Sequence, residues 1–190
     1  MEILNKDEYK IRRHEILYRI KNGAVFIYPT DTIYGIGADA LHSKAVDRVR
    51  DAKERSTMPF SVIAPSKEWI KENCHTNKET EQWLNKLPGP YTLILKLKNK
   101  KAIEPNVNSN METVGVRIPD HWAANIAKEI NSPIVTTSAN VTTKEFMTSL
   151  DNLDPNIKNK VDFIIYEGEI KGRPSTLIDL TKEKVEIKKR

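Results

Sequence analysis

Cysteine is nearly missing from this chain of 190 residues, where Cys74 stands alone. A single thiol excludes an intrachain disulfide and a cysteine-built zinc site, and it fits a reducing, cytoplasmic setting. Aromatic residues make up only 7%, thin for a protein that recognises nucleic acid by stacking bases. No apolar run approaches the ~20 residues that span a bilayer, so a membrane is not an expected partner. The stretch Met1 to Lys21 is charged throughout and has no apolar centre of a secretory signal. His14, His42, His75 and His121 are scattered without paired spacing; they read as surface residues, and no metal site is expected. Phosphate loops are missing too. Gly35-Ile36-Gly37-Ala38-Asp39-Ala40 fits a loose G-x-G-x-x-A, but residues 29–34 separate it from its strand and no helix start follows it until Ser43. A G-x-S-x-G elbow is absent as well.

What is there suits one globular domain over residues 1–190, with no additional C-terminal domain. Hydrophobic residues are 38% and charged residues 30%, ordinary values for a packed protein. The net charge of +5 means either a lysine-rich solvated surface or an anionic partner, and charge alone does not choose.

In chain order, residues 7–22 predict an amphipathic helix with Ile11, Ile16, Leu17 and Ile20 inward, closed by Gly23. Ala24 to Tyr28 predict a buried strand ended by Pro29. Ser43 is the expected N-cap of a helix with Ala45, Val46 and Val49 inward, and Ser66, Thr76 and Asp120 are expected caps further on. Thr76 and Glu79 would form a capping box. Residues 60–64, 91–98, 113–118 and 133–137 predict strands, as do DFIIYE and STLIDL, while 99–112 reads as a loop and KVEIKKR as a charged end. Strands and helices mix without strict βα alternation, which predicts an α/β domain around a mixed sheet.

Chemistry concentrates in a few places. After the strand that ends at Tyr28 come Thr30, Asp31, Thr32 and Tyr34, then Gly35 and Gly37, where backbone could approach a ligand or take positive φ. Lys53-Glu54-Arg55 closes a helix, where cations meet the dipole in any case. Arg117 sits in an otherwise apolar strand, and a charge there needs a partner. Ser138-Ala139-Asn140 again puts small polar groups after an apolar run. Together these describe a polar, cationic cleft at strand ends.

PTDTIYGIGADA, the K-x-R of Lys53 and Arg55, PGPYTLIL, TVGVRIPDH, PIVTTSAN and STLIDLT follow the order seen in the YrdC-like family of threonylcarbamoyl-AMP synthases, which the chain resembles over nearly its whole length. The resemblance implies a single domain with a twisted mixed β-sheet, flanking helices and a wide basic cavity. It implies an enzyme that makes threonylcarbamoyl-adenylate and pyrophosphate from L-threonine, bicarbonate and ATP, with Mg²⁺ accompanying ATP, for t6A modification of tRNA. Lys53 and Arg55 would be catalytic, facing the carbamate and the phosphates. Thr32 would contact threonine, Arg117 its carboxylate, and Thr113 the nucleotide. Thr136, Ser138 and Asn140 would line threonine and ATP, with Ser175 near the nucleotide. Implied partners are the proteins that carry the adenylate on to tRNA, and the basic balance allows weak binding of tRNA or double-stranded RNA. The chain departs from the family pattern at Ser56-Thr57-Met58-Pro59-Phe60, which is shorter than usual, at Ile63 in a His position, and at Phe146 in a Ser position. Lys189 or Arg190 is left to stand in for the family's late arginine. Two other readings use the same residues: a binding module that holds RNA or a nucleotide without turnover, and a relative acting in carbamoyl transfer for hydrogenase maturation, which the missing zinc-binding cysteines disfavour.

Overall fold

Short apolar runs pair into a single mixed sheet in the computed structural model, which describes residues 1–189 and leaves Arg190 outside. The strands are β1 (Glu2–Leu4), β2 (Phe26–Tyr28), β3 (Gly35–Gly37), β4 (Ser61–Ile63), β5 (Tyr91–Lys96), β6 (Thr113–Arg117), β7 (Ile134–Ser138), β8 (Phe163–Ile165), β9 (Thr176–Asp179) and β10 (Glu186–Lys188). Across the sheet they run β1-β8-β2-β3-β7-β4-β6-β5-β9-β10. Among the described residues, four parallel pairs (β1–β8, β2–β8, β4–β6, β5–β9) are mixed with five antiparallel ones, as the irregular order of elements in the sequence predicts.

Helices pack both faces, but unequally. On one face α3 (Ser43–Lys53), α4 (Lys67–Asn73), α5 (Lys78–Leu84) and α7 (Pro155–Lys158) bury Val46, Val49, Ile70, Leu84 and Ile157 against Ile27, Val62, Leu93, Val116 and Val135. On the other, α1 (Lys6–Ile11), α2 (Arg13–Lys21) and α6 (Asn125–Glu129) bury Tyr9, Ile16, Ile20 and Ile126 against Phe26, Tyr28, Ile63, Ile134 and Phe163. This second core takes no residue from β5, β6, β9 or β10. On that half of the sheet Ile94, Thr113 and Gly115 are half-buried and Lys96 is exposed. The sheet therefore has a two-sided half and a half whose second face is open.

Several local expectations shift by one residue, each because a neighbouring acceptor wins. Asn5, not a residue at position 7, starts the first helix through reciprocal bonds with Glu8. The expected helix also breaks at Arg12, which rotates its phase: Ile11 ends 84% exposed, and Tyr9 is buried in its place. His42 caps α3 in place of Ser43, Asn77 caps α5 in place of Thr76, and His121 caps the short turn Trp122–Ala124 in place of Asp120. Two of the supposed surface histidines are thus structural, accepting backbone N–H groups through Nδ1. Ser66 caps α4 as expected. Gly35 and Gly37 form β3 and neither has positive φ, while Gly35 lies along the cleft described below. They leave room for rings, since a Cβ on Gly37 would lie 2.7 Å from Tyr28 Cε1 and 3.1 Å from Phe26 Cζ. Cys74 is a buried free thiol whose pKa burial pushes up to about 12, so it is inert at neutral pH.

Candidate active site

Strand register puts most of the expected residues on one face. Paired residues point the same way, so Thr136, Ser61 and Gly115 share a level, and Ile134, Ile63 and Arg117 share the next. Thr113 lies two residues from Gly115 and faces the same side, about 13 Å along the strand from Arg117. Arg117 therefore stands at the opposite end of its strand from Thr113. The site lies on the sheet face and not only at strand ends, because the long guanidinium arm reaches back toward the β2–β3 connection.

There Arg117 Nη2 donates to Asp31 Oδ1 at 2.6 Å, and Nη1 and Nη2 both lie 3.4 Å from Thr32 Oγ1. Burial weighs against the guanidinium's charge and Asp31 offsets it. The other oxygen of Asp31 accepts from Asp120 N at 3.0 Å, which fixes the carboxylate from two sides. Thr32 and Thr30 hydroxyls are 2.9 Å apart, and Thr30 donates to Ile33 O at 2.7 Å. The Thr30 oxygen also accepts from Thr32 N at 3.1 Å and Ile33 N at 3.2 Å, so its hydrogen and both lone pairs are used inside the loop. Tyr28 is buried beside Thr136 and Arg117, and burial pushes its phenol up to about 12.

Lys53 and Arg55 part company at Glu54, which ends α3 in the left-handed region at φ 49°. Lys53 turns inward. Its Nζ donates to Ser138 O (2.7 Å), Asn140 O (2.6 Å) and Asn140 Oδ1 (2.7 Å), with Ser138 Oγ at 3.3 Å. Three short acceptors match the three N–H groups of an ammonium. Burial first, then the Arg55 charge, pushes its pKa down to about 7. Lys53 thus ties α3 to the Ser138-Ala139-Asn140 turn, and Ser138 Oγ donates to Asn140 Oδ1 within it. Arg55 turns toward the cleft, with Nη2 donating to Pro59 O at 2.8 Å.

The cleft between these groups has a volume of about 160 Å³ and is lined by Arg55, Arg117, Thr136, Ser138 and Ser175 among the expected residues. That is below the ~300–1,000 Å³ common for small-molecule sites. Thr32, Lys53 and Asn140 stand behind its wall, bonded to groups that line it, and Thr113 lies off it on the open half of the sheet. The width and basic character expected of the cavity are not shown: hydroxyls dominate, and a larger groove on the far side of Arg55, about 720 Å³, mixes Arg48 and Lys160 with Asp51 and Asp162. Ser175 bonds Thr92 hydroxyl to hydroxyl at 2.7 Å. The segment before Ser175 crosses the PTDT stretch so closely that a Cβ on Gly172 would fall 1.7 Å from Thr32 O.

Ser61, Thr92 and Asp31 belong to this site and were not singled out from the sequence as site residues. The signal for Ser61 and Thr92 was the same as for Arg117, a polar residue inside an apolar strand. Asp31 was visible as part of a polar cluster, but its partner lies 86 residues away.

The comparisons with known proteins agree with one another. A family described as "Telomere recombination", Sua5/YciO/YrdC, matches residues 19–190. A Methanocaldococcus jannaschii protein is 37% identical over 186 residues, 96% of this chain and 86% of that protein. Threonylcarbamoyl-AMP synthases of Pyrococcus abyssi and Bacillus subtilis are 36% and 31% identical over 85% and 78% of this chain. The chain spans only 48% and 44% of those two relatives. A crystal structure of P. abyssi Sua5 complexed with L-threonine superposes with a TM-score of 0.85 at 30% identity, over 98% of this chain and 56% of that one. Escherichia coli YciO shares the fold, with a TM-score of 0.85 at 20% identity over 100% and 94% of the two chains. A strand order joined to the Arg117–Asp31–Thr32 network, a K-x-R, a SAN turn and these matches lead to one conclusion: the chain belongs to the Sua5/YciO/YrdC family.

Proposed function

We propose that the protein makes threonylcarbamoyl-adenylate and pyrophosphate from L-threonine, bicarbonate and ATP, supplying the intermediate for t6A in tRNA. The observation that carries this is the buried arginine–carboxylate–threonine network beside a hydroxyl-lined cleft that Arg55 borders. The names of the two synthase relatives and the threonine bound by P. abyssi Sua5 support it.

In this reading Arg117 takes the threonine carboxylate with donors that Asp31 does not use, a task that suits a planar fork. Thr32 meets the bound threonine through its hydroxyl. The amine nitrogen bonds to the bicarbonate carbon with loss of water, giving a carbamate. A carbamate oxygen then attacks the α-phosphorus of ATP, and the bond to the β-phosphate oxygen breaks, releasing pyrophosphate. Arg55 meets the negative charge that moves onto the leaving group. Lys53 acts through the Ser138–Asn140 turn, which it holds in place for threonine and ATP. The nucleotide spreads from the narrow cleft over the open half of the sheet, toward Thr113. Mg²⁺ arrives bound to the phosphates of ATP as part of the substrate. The carriers that receive the adenylate, and tRNA, are the partners.

Pyrophosphate release measured with each substrate left out in turn tests the proposal. Release should require threonine and bicarbonate together; equal release without threonine would make the protein a plain ATPase and end this reading.

A further inference from the structure

Residues 54–60 have no regular secondary structure, yet this segment carries Arg55, one of the two arginines that line the cleft. What holds it is Arg50, buried in α3. Its Nε donates to Asn106 O at 2.8 Å, Nη1 to Arg55 O and Met58 O at 3.1 Å each, and Nη2 to Ser109 Oγ at 3.0 Å. Every partner belongs to one of two loops, 55–58 or 106–109, so a single guanidinium sews the Arg55 segment to the loop before β6. Phe60, 2% exposed, supplies the other half. Its ring centroid lies 4.6 Å from Arg50 Cζ and 5.2 Å from Arg55 Cζ, so one ring meets two guanidiniums. The Arg55 backbone is thus fixed by Arg50, and its side chain by Phe60 and the Pro59 carbonyl.

We propose that Arg50 and Phe60 are positioning residues that set the direction of the Arg55 guanidinium before substrate arrives. The role of Arg55 rests on the function proposed above; its orientation does not. A pre-aimed cation needs no reorganisation as charge develops on the departing pyrophosphate, whereas a swinging one would have to be ordered during the reaction. An aliphatic side chain at position 60 would fill the space but offer no ring face to either guanidinium.

The test combines the NMR signal of the Arg55 Nε–H, assigned by its loss in Arg55→Lys, with steady-state pyrophosphate release in Phe60→Leu, Phe60→Tyr and Arg50→Lys. Phe60→Leu and Arg50→Lys should move the signal toward that of free arginine and lower kcat roughly ten- to a hundredfold, with the threonine KM little changed. Phe60→Tyr should restore both. An unchanged Arg55 signal in folded Phe60→Leu would overturn the proposal, as would a loss of kcat that follows melting temperature equally in the Leu and Tyr variants. If the unsubstituted protein releases no pyrophosphate, the proposed function falls, and the Arg55 signal still decides the positioning.

Discussion

Arg117 and Asp31 face each other with side chains 7% and 11% exposed, so neither can be removed quietly. Breaking such a pair leaves an uncompensated charge and costs about 3–5 kcal/mol where burial is complete. Asp31→Asn should therefore lower stability sharply in a urea melt, by more than a typical surface substitution. Arg117→Lys keeps the charge and tests geometry: without the fork, the KM for threonine should rise while kcat changes little, because the carboxylate bears the same charge before and after carbamoylation. Arg55→Ala should do the reverse and lower kcat by about 10²–10³. Parallel kinetics on the folded variants, checked by melts, decide between the two patterns; equal effects on KM and kcat from both would show the groups misassigned. Lys53 adds a pH signature. Its folded pKa of about 7 lies below the unfolded value near 10.5, so between those values the unfolded chain binds more protons and the contribution of Lys53 to stability rises with pH. Lys53→Met lacks this term, and the stability difference between native and variant should shift in favour of the native protein from pH 7 to pH 9.5; a difference independent of pH would contradict it.

At the scale of elements, the sequence was legible where burial dictates pattern. The strands at Phe26, Ile63, Leu93, Val116, Val135 and Ile164 were all apparent from apolar runs, as was the inward face of α3. Ends were less so. His42, Asn77 and His121 cap helices beside the residues expected to do it, because two adjacent side chains can accept the same N–H and the tertiary setting chooses. At the turn after Asp120 the acceptor is His121 Nδ1, which takes Ala123 N at 3.2 Å. The strands β1, β3 and β10 were missed, since three residues at the chain start, two glycines around one isoleucine and a charged tail each carry too little pattern of their own and are strands through their neighbours. The close pass of Gly172 over Thr32 was equally invisible, being a contact across 140 residues. It predicts that Gly172→Ala displaces the segment leading into Ser175, since the obstructing atom is backbone and cannot yield. The variant should melt lower and show a changed Thr32 amide shift; unaltered melting and an unaltered Thr32 shift would contradict the contact.

The whole molecule is a sheet with one face covered from β8 across to β9 and the other covered over about half its width. The cleft lies at that border, where β7 and β4 pass to β6 and β5. The resemblance to a family pointed to the right fold, but composition and spacing could not show which half of the sheet would be left open, since that depends on where the helices return. No helix among the described residues is long and apolar enough to cross a membrane. Amide exchange should follow the same division, slowest in β2, β7 and β8 with both faces packed and fastest in β10, whose residues are all exposed.

The claim that this border holds an adenylate-forming site is tested most directly by mass spectrometry of the protein incubated with ATP, Mg²⁺, L-threonine and ¹³C-labelled bicarbonate. The prediction is a threonylcarbamoyl-adenylate carrying the labelled carbon, formed by the native protein and strongly reduced in Arg55→Ala. Binding of ATP and threonine with no labelled adenylate would contradict it and leave a protein that holds these ligands without joining them.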